Sequence, residues 1–193
     1  MASCMDDEIQ SLKENGTWEE VDPPAGRRIV DSKWVYKIKQ KADGSIERYK
    51  ARVVAKGFSQ QFGSDYEETF ARVARYDSFK LLLAIAAHMG WKPQQMDVKT
   101  AFLYGTLKEE IYMRLPEGYR TRGKAARLYK CIYGLKQSAR KWYECLSTLL
   151  KQIDSSAPNS TPVPSSTQLI RHSSRLMWMT WVYSVRPPLL LRK

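Results

Sequence analysis

"QQMDVKTAFLYG", residues 94–105, sets one carboxylate, Asp97, among apolar neighbours: Met96 and Val98 flank it, and Ala101, Phe102 and Leu103 follow. Acids are rarely found in such surroundings unless they are paired or hold a metal. A metal-holding Asp97 would need at least one further carboxylate, because a hard divalent cation takes several oxygen ligands. The residues leading into it, "KPQQMDV" (92–98), read as a strand, and "EEIYMRLPEGY" (109–119) reads as another, closed by a Pro-containing turn.

Upstream, "SKWVYKIKQKADGSIERYKARVVAKGF" (32–58) predicts a β-hairpin. Trp34, Tyr36 and Ile38 alternate with Val35, Lys37 and Lys39, the period of two that a half-buried strand requires. "ADG" supplies the turn. On the return strand Tyr49, Ala51, Val53 and Ala55 alternate with Lys50, Arg52, Val54 and Lys56. One face is therefore apolar, and the other gathers Lys37, Lys39, Lys50, Arg52 and Lys56. Such a face is either solvated or directed at phosphates.

"DSFKLLLAIAAHMGW" (77–91) predicts a helix capped by Asp77 or Ser78 and ended by Gly90, with His88 an ordinary last-turn residue. "SARKWYECLSTLLKQI" (138–153) predicts a second, with Ser138 as cap. Its apolar stripe is Trp142, Cys145, Leu146, Leu149 and Leu150, which makes Cys145 a structural thiol. The first 30 residues offer a short polar helix and then the turn-rich "VDPPAGRR". After Ile153 the chain becomes rich in Ser and Pro and loses both periodicities, yet it contains the aromatic run "LMWMTWVY" (176–183). That run is too apolar for an ordinary disordered tail.

The 193 residues suffice for one domain with a real core, or for two small lobes. They carry 32 Lys and Arg against 20 Asp and Glu, a net charge of +12 that favours a polyanionic partner. Cys4, Cys131 and Cys145 are odd in number and widely spaced, which suggests neither a disulfide framework nor a zinc site. "LLLAIAA" is too short to span a bilayer, and the acidic start does not resemble a signal peptide, so a soluble intracellular chain is expected.

Six stretches, in order, resemble the reverse transcriptase domain of copia-type LTR retrotransposon Pol polyproteins: "SKWVYKIK", "DGSIERYKARVVAKGFSQ", "DYEETFARVARYDS", "LLLAIAAHMGW", "QMDVKTAFLYGTLKEEIYMRLPEGY" and "CIYGLKQSARKWY". They lie within residues 18–153, leaving 1–17 as an N-terminal segment and 154–193 as a tail. Ala71 and Ala139 stand where the family usually has proline, each losing a rigid turn constraint. The resemblance implies an α+β fold, the fingers and partial palm of a right-handed polymerase. It implies in-line phosphoryl transfer on two Mg²⁺ (or Mn²⁺) ions, with dNTPs, an RNA template and a DNA primer as partners. It also implies a cytoplasmic, virus-like-particle setting. Asp97 becomes the first metal-binding aspartate, assisted by the Val98 main-chain carbonyl, and Phe102 packs under the incoming sugar. Tyr133, Gly134, Lys136 and Gln137 line nucleotide and template. Lys50 and Arg52 face the triphosphate, with Lys37, Lys39 and Lys56 as further nucleic-acid-binding cations.

The family's other metal ligands sit in a Tyr-Val-Asp-Asp hairpin downstream of "GF..S..D", and neither motif occurs in this sequence. The genetic code locates both. Met177-Trp178-Met179-Thr180-Trp181-Val182 must be encoded ATG TGG ATG ACN TGG GTN. Reading one nucleotide earlier gives xAT GTG GAT GAC NTG GGT, which forces Val-Asp-Asp and permits Tyr before it. The same shift over Asp154–Thr161 permits Gly-Phe-Ile-Gly-Ser-Glu-Leu-Asp. One lost base near codons 153 and 154 accounts for both. An inactive polymerase fragment with an out-of-frame, poorly structured tail is therefore expected. The alternative is a non-enzymatic, basic nucleic-acid-binding remnant.

Overall fold

The computed structural model describes residues 2–72, 75–155 and 180–185. In chain order they form α1 (Ala2–Glu14), β1 (Trp18–Val21), β2 (Ile29–Val30), β3 (Ser32–Gln40), β4 (Ile46–Ala55), α2 (Tyr76–His88), β5 (Lys92–Asp97), β6 (Thr106–Met113), β7 (Ala125–Lys130), α3 (Ser138–Ser155) and β8 (Thr180–Val185). Short 3₁₀ turns occupy Gly57–Ser59 and Ala101–Tyr104. Two compact units result: Met1–Phe70 with Phe102–Trp142, and Ala71–Ala101 with Tyr143–Lys193.

In the first unit β1, β7, β6 and β2 form a four-stranded sheet in that order. Neighbours run antiparallel except β2, which joins β6 in parallel. Ile111, Met113, Ala126 and Leu128 of this sheet share a buried core with Val53 and Ala55 of β4 and with Ile9 and Leu12 of α1. β1 and β7 are not anticipated by the periodicity, because "WEEV" and "AARLYK" are short and alternate weakly.

β3 and β4 form the hairpin that the alternation predicts, with Tyr36 opposite Ala51, Lys37 opposite Lys50 and Lys39 opposite Arg48. The turn closes through Gly44 at φ 81°, where the Gly44 amide donates to the Lys41 carbonyl at 3.0 Å. The expected half-buried face exists only at the base of the hairpin. Val53 is buried there, whereas Tyr36, Ile38, Ile46 and Tyr49 are exposed farther out. α1 packs on β4, and the Tyr119 hydroxyl donates to the Asp6 carboxylate while Trp34 packs against Tyr119.

That bond to Asp6, aided by burial, pushes the Tyr119 hydroxyl up to about 12. Its pKa is raised in the fold, so its stabilising contribution is complete below the ordinary tyrosine value near 10 and is lost as pH rises through about 12. An ultraviolet titration should show late-ionising tyrosines, since Tyr112 and Tyr129 are also raised, and Tyr119→Phe should remove the one that ionises near pH 12.

In the second unit α2 packs beside β5, and β5 pairs antiparallel with β8. α2 begins one residue before the predicted caps. Arg75 stands at the cap position without a side-chain bond, and Asp77 falls in the first turn instead. Gly90 does end the helix, at φ 67°. Ser138 is also not a cap: its hydroxyl donates to the Ile132 carbonyl at 2.6 Å, which fastens the start of α3 to the preceding loop. Within the tail, Thr180–Val185 departs from the expectation of poor structure by forming β8, as its Val and aromatic content favours. Residues 156–179 and 186–193 lie outside the described residues.

Candidate functional site

The end of β4 and the loop after β7 are bound backbone to backbone. The Ala55 amide donates to the Tyr133 carbonyl at 2.8 Å, and Val54 and Tyr133 form an isolated bridge. This approach needs glycine on both sides. A Cβ on Gly134 would lie 2.0 Å from the Ala55 carbonyl oxygen, and a Cβ on Gly57 would lie 2.1 Å from that of Gly134. Gly134 also adopts φ 92°, which L side chains rarely tolerate.

This docking brings together three residues that the resemblance places at the nucleotide. The Arg52 guanidinium lies 4.9 Å from the centre of the Tyr133 ring, whose partner on another side is Phe102, edge to face at 4.9 Å. All three are partly exposed. A cation held on an aromatic face beside a second ring can meet both a phosphate and a flat or sugar surface. Lys50, two residues along β4, shares Arg52's face. Burial holds its ammonium below the usual lysine range, and Arg52, Arg48 and Lys39 push in the same direction.

Other implied nucleotide contacts are engaged inside the protein. Gln137 is completely buried: its Oε1 accepts from Gln60 Nε2 at 3.1 Å, and its Nε2 donates to the Asp65 carbonyl at 2.8 Å. Its side chain thus ties loop to loop in this structure. Lys136 points its ammonium at the Gln60 carbonyl (3.3 Å) and the Tyr66 hydroxyl (3.0 Å), over the Tyr66 ring. The Gln60 side chain closes the network by accepting from the Lys136 amide at 2.9 Å. Gly57, Gln60, Asp65 and Tyr66 are site-building residues that the sequence reading passed over, although all lie within the motif stretches. Gln137→Ala would leave the Gln60 amide and the Asp65 carbonyl buried without their partner. We expect a loss of about 1–3 kcal/mol in urea unfolding.

Of the remaining cations, Lys37 and Lys39 lie on the same hairpin face as Lys50 and Arg52. Lys56 does not belong with them. Beyond the last residue of β4, it pairs with Asp31 at 3.8 Å, and Asp31 also holds Arg114 at 3.1 Å.

Asp97 belongs to the second unit. It is the last residue of β5, is exposed, and stands opposite Thr180 of β8. Val98 follows, half-buried, and Thr100 takes φ 52°. Among the described residues no three His, Cys, Asp or Glu side chains gather as a metal site would require. One carboxylate and one main-chain carbonyl do not fit a pair of divalent ions, which take about six oxygen ligands each. Among the described residues no helix is long and apolar enough to cross a membrane.

Residues 15–161 match the family described as reverse transcriptase (RNA-dependent DNA polymerase). The match runs past Ile153, the boundary read from the sequence. The chain is 44% identical over 154 residues to the retrovirus-related Pol polyprotein from transposon TNT 1-94 of Nicotiana tabacum, covering 78% of this chain and 12% of that protein. It is 44% identical over 151 residues to the corresponding polyprotein from transposon RE2 of Arabidopsis thaliana, covering 76% of this chain and 10% of the relative. To the transposon Ty1-DR5 Gag-Pol polyprotein of Saccharomyces cerevisiae it is 32% identical over 154 residues, 75% of this chain and 8% of that one. The chain thus spans about a tenth of the length of these relatives. No solved structure matches. Matched by that family over residues 15–161 and by these relatives over about three quarters of its length, the chain belongs to the reverse transcriptase family, as a segment of the copia-type retrotransposon Pol type.

Proposed function

We propose that this chain is the fingers and partial palm of an RNA-directed DNA polymerase, catalytically incomplete because its Tyr-Val-Asp-Asp hairpin lies in another reading frame. The observation that carries the proposal is the register of β5 and β8. Asp97 stands opposite Thr180, and the first two bases of the Thr180 codon are the last two of the hidden Val-Asp-Asp. The missing aspartate would thus fall at, or within a residue of, the position opposite Asp97.

In the complete family enzyme, metal-assisted in-line transfer would use Asp97 and the Val98 carbonyl. Arg52 and Lys50 would meet the triphosphate of a dNTP paired to an RNA template on a DNA primer. Phe102, braced by Tyr133, would lie under the sugar, where a bulky ring excludes a 2′-hydroxyl. In this chain the donor set is insufficient, and no chemical step is assigned to it. The setting would be the cytoplasm, in the particle that such elements form. Sequencing the genomic locus and its transcript across codons 153 to 182 tests the frame. One base restored near codon 153 should open a frame through Tyr-Val-Asp-Asp; stop codons in that frame would refute the reading.

A second reading is favoured by the cationic hairpin face: binding of nucleic acid without catalysis. Lys37, Lys39, Arg48, Lys50 and Arg52 lie together across two paired strands. Changing Lys37, Lys50 and Arg52 to Glu should weaken single-stranded RNA binding by at least about tenfold. It should also flatten the salt dependence by about two to three phosphate contacts, with Asp97→Asn silent. Unchanged affinity would remove this face from consideration.

A further inference from the structure

We propose that Glu8, on the N-terminal helix, is an internal counter-anion that competes with phosphate groups for Arg52 and Lys50 and so limits how tightly the hairpin face holds them. The inference rests on the phosphate-binding reading of that face. α1 is anchored where it lies: Ile9 and Leu12 are buried in the core, and Asp6 accepts from the Tyr119 hydroxyl. Glu8, between these anchors, is half-buried, and its Oε1 accepts from the Val53 amide at 3.3 Å. Val53 directly follows Arg52, so this bond places the Glu8 carboxylate beside the β4 segment that carries Arg52 and Lys50, and both cations oppose the upward push of burial on its carboxyl. Lys50 otherwise feels Arg52, Arg48 and Lys39, all of its own sign.

Capping the Val53 amide does not require a charge, since a glutamine oxygen would accept the same bond. The charge is in fact held at a cost, because burial pushes the Glu8 carboxyl up from its ordinary value. What the charge does offer is partial neutralisation of crowded cations, and an arriving phosphate must then share them with a fixed carboxylate. A neighbouring anion of this kind weakens anion binding by an amount that salt screens.

The test compares the full chain with Glu8→Gln, and with Asp7→Asn as a charge-matched control from the exposed side of the same helix. Two probes are titrated over a salt series: inorganic tripolyphosphate, standing for a nucleotide's phosphate tail, and single-stranded oligo(rA), standing for a nucleic-acid backbone. Glu8→Gln should bind about three- to tenfold more tightly at about 50 mM salt, with a salt slope steeper by about one for oligo(rA) and a gain that fades by about 200 mM. A gain with either probe supports the proposal and shows which phosphate source the face favours. Equal affinity of Glu8→Gln and the unaltered chain would overturn it, leaving Glu8 as a strand-edge cap. Weaker binding would also overturn it, making Glu8 an orienting group for Arg52. An equal gain in Asp7→Asn would reduce the effect to overall charge. If neither the unaltered chain nor Glu8→Gln binds either probe, the phosphate reading of the face fails together with this proposal.

Discussion

Gly134→Ala is expected to destabilise the first unit by about 3–5 kcal/mol, a large share of what holds a small domain together. Two terms add. The residue sits at φ 92°, where a side chain strains the backbone. The new methyl would also lie 2.0 Å from the Ala55 carbonyl oxygen and 2.7 Å from Val54 Cγ1. A flexible neighbour could yield, but the Ala55 carbonyl belongs to β4 and its amide is fixed to Tyr133. Relief therefore requires separating the loop from the strand, which would release Tyr133 from Arg52 and Phe102. Gly63→Ala separates the terms. It has φ 81° but nothing within 4 Å of its Cβ, so only the backbone strain of about 1 kcal/mol applies. Urea unfolding of the two variants should differ by at least about 2 kcal/mol. Equal losses would mean that the close approach contributes nothing.

The second large effect concerns chemistry. Two-metal phosphoryl transfer depends on carboxylates that fix both ions, and the stabilisation they supply is worth many orders of magnitude in rate. Asp97 alone cannot assemble that set. A version of the gene with one base inserted at codons 153 to 154, extended through the downstream coding sequence, is expected to gain template-dependent DNA synthesis. Asp97→Asn in that restored protein should abolish the synthesis, and loss of at least about a thousandfold is anticipated from removal of a metal ligand. The restored β5–β8 region should also carry a hairpin in place of the single strand Thr180–Val185. A restored protein indifferent to Asp97→Asn would place the catalytic carboxylates elsewhere.

Much of the scaffold is legible in the sequence because it follows from periodicity. The alternation in β3 and β4 reveals the cationic face, and the helices around Leu82 and Leu146 announce themselves through apolar spacing. Periodicity does not say what covers a face, so the exposed Tyr36, Ile38 and Tyr49 are not anticipated. Nor does it distinguish a polar residue aimed at a ligand from one aimed inward. Gln137 looks like a nucleotide contact, but its partners, Gln60 and Asp65, lie more than 70 positions away in the chain. Ser138 and Lys136 are consumed in the same way by Ile132, Gln60 and Tyr66. The two glycines that permit loop docking are visible as letters, but their mutual approach is a tertiary fact. Asp97 is legible as a carboxylate out of place, and that no metal-ligating cluster surrounds it among the described residues is a tertiary fact that periodicity does not show.

The most direct test of the central claim is primer extension by this chain as encoded, on poly(rA)/oligo(dT) with Mg²⁺ or Mn²⁺. We expect no incorporation above a protein-free control, with Asp97→Asn indistinguishable from the unaltered chain. Template-dependent incorporation that Asp97→Asn abolishes would show that a working metal site exists without the Tyr-Val-Asp-Asp hairpin, and would contradict the account.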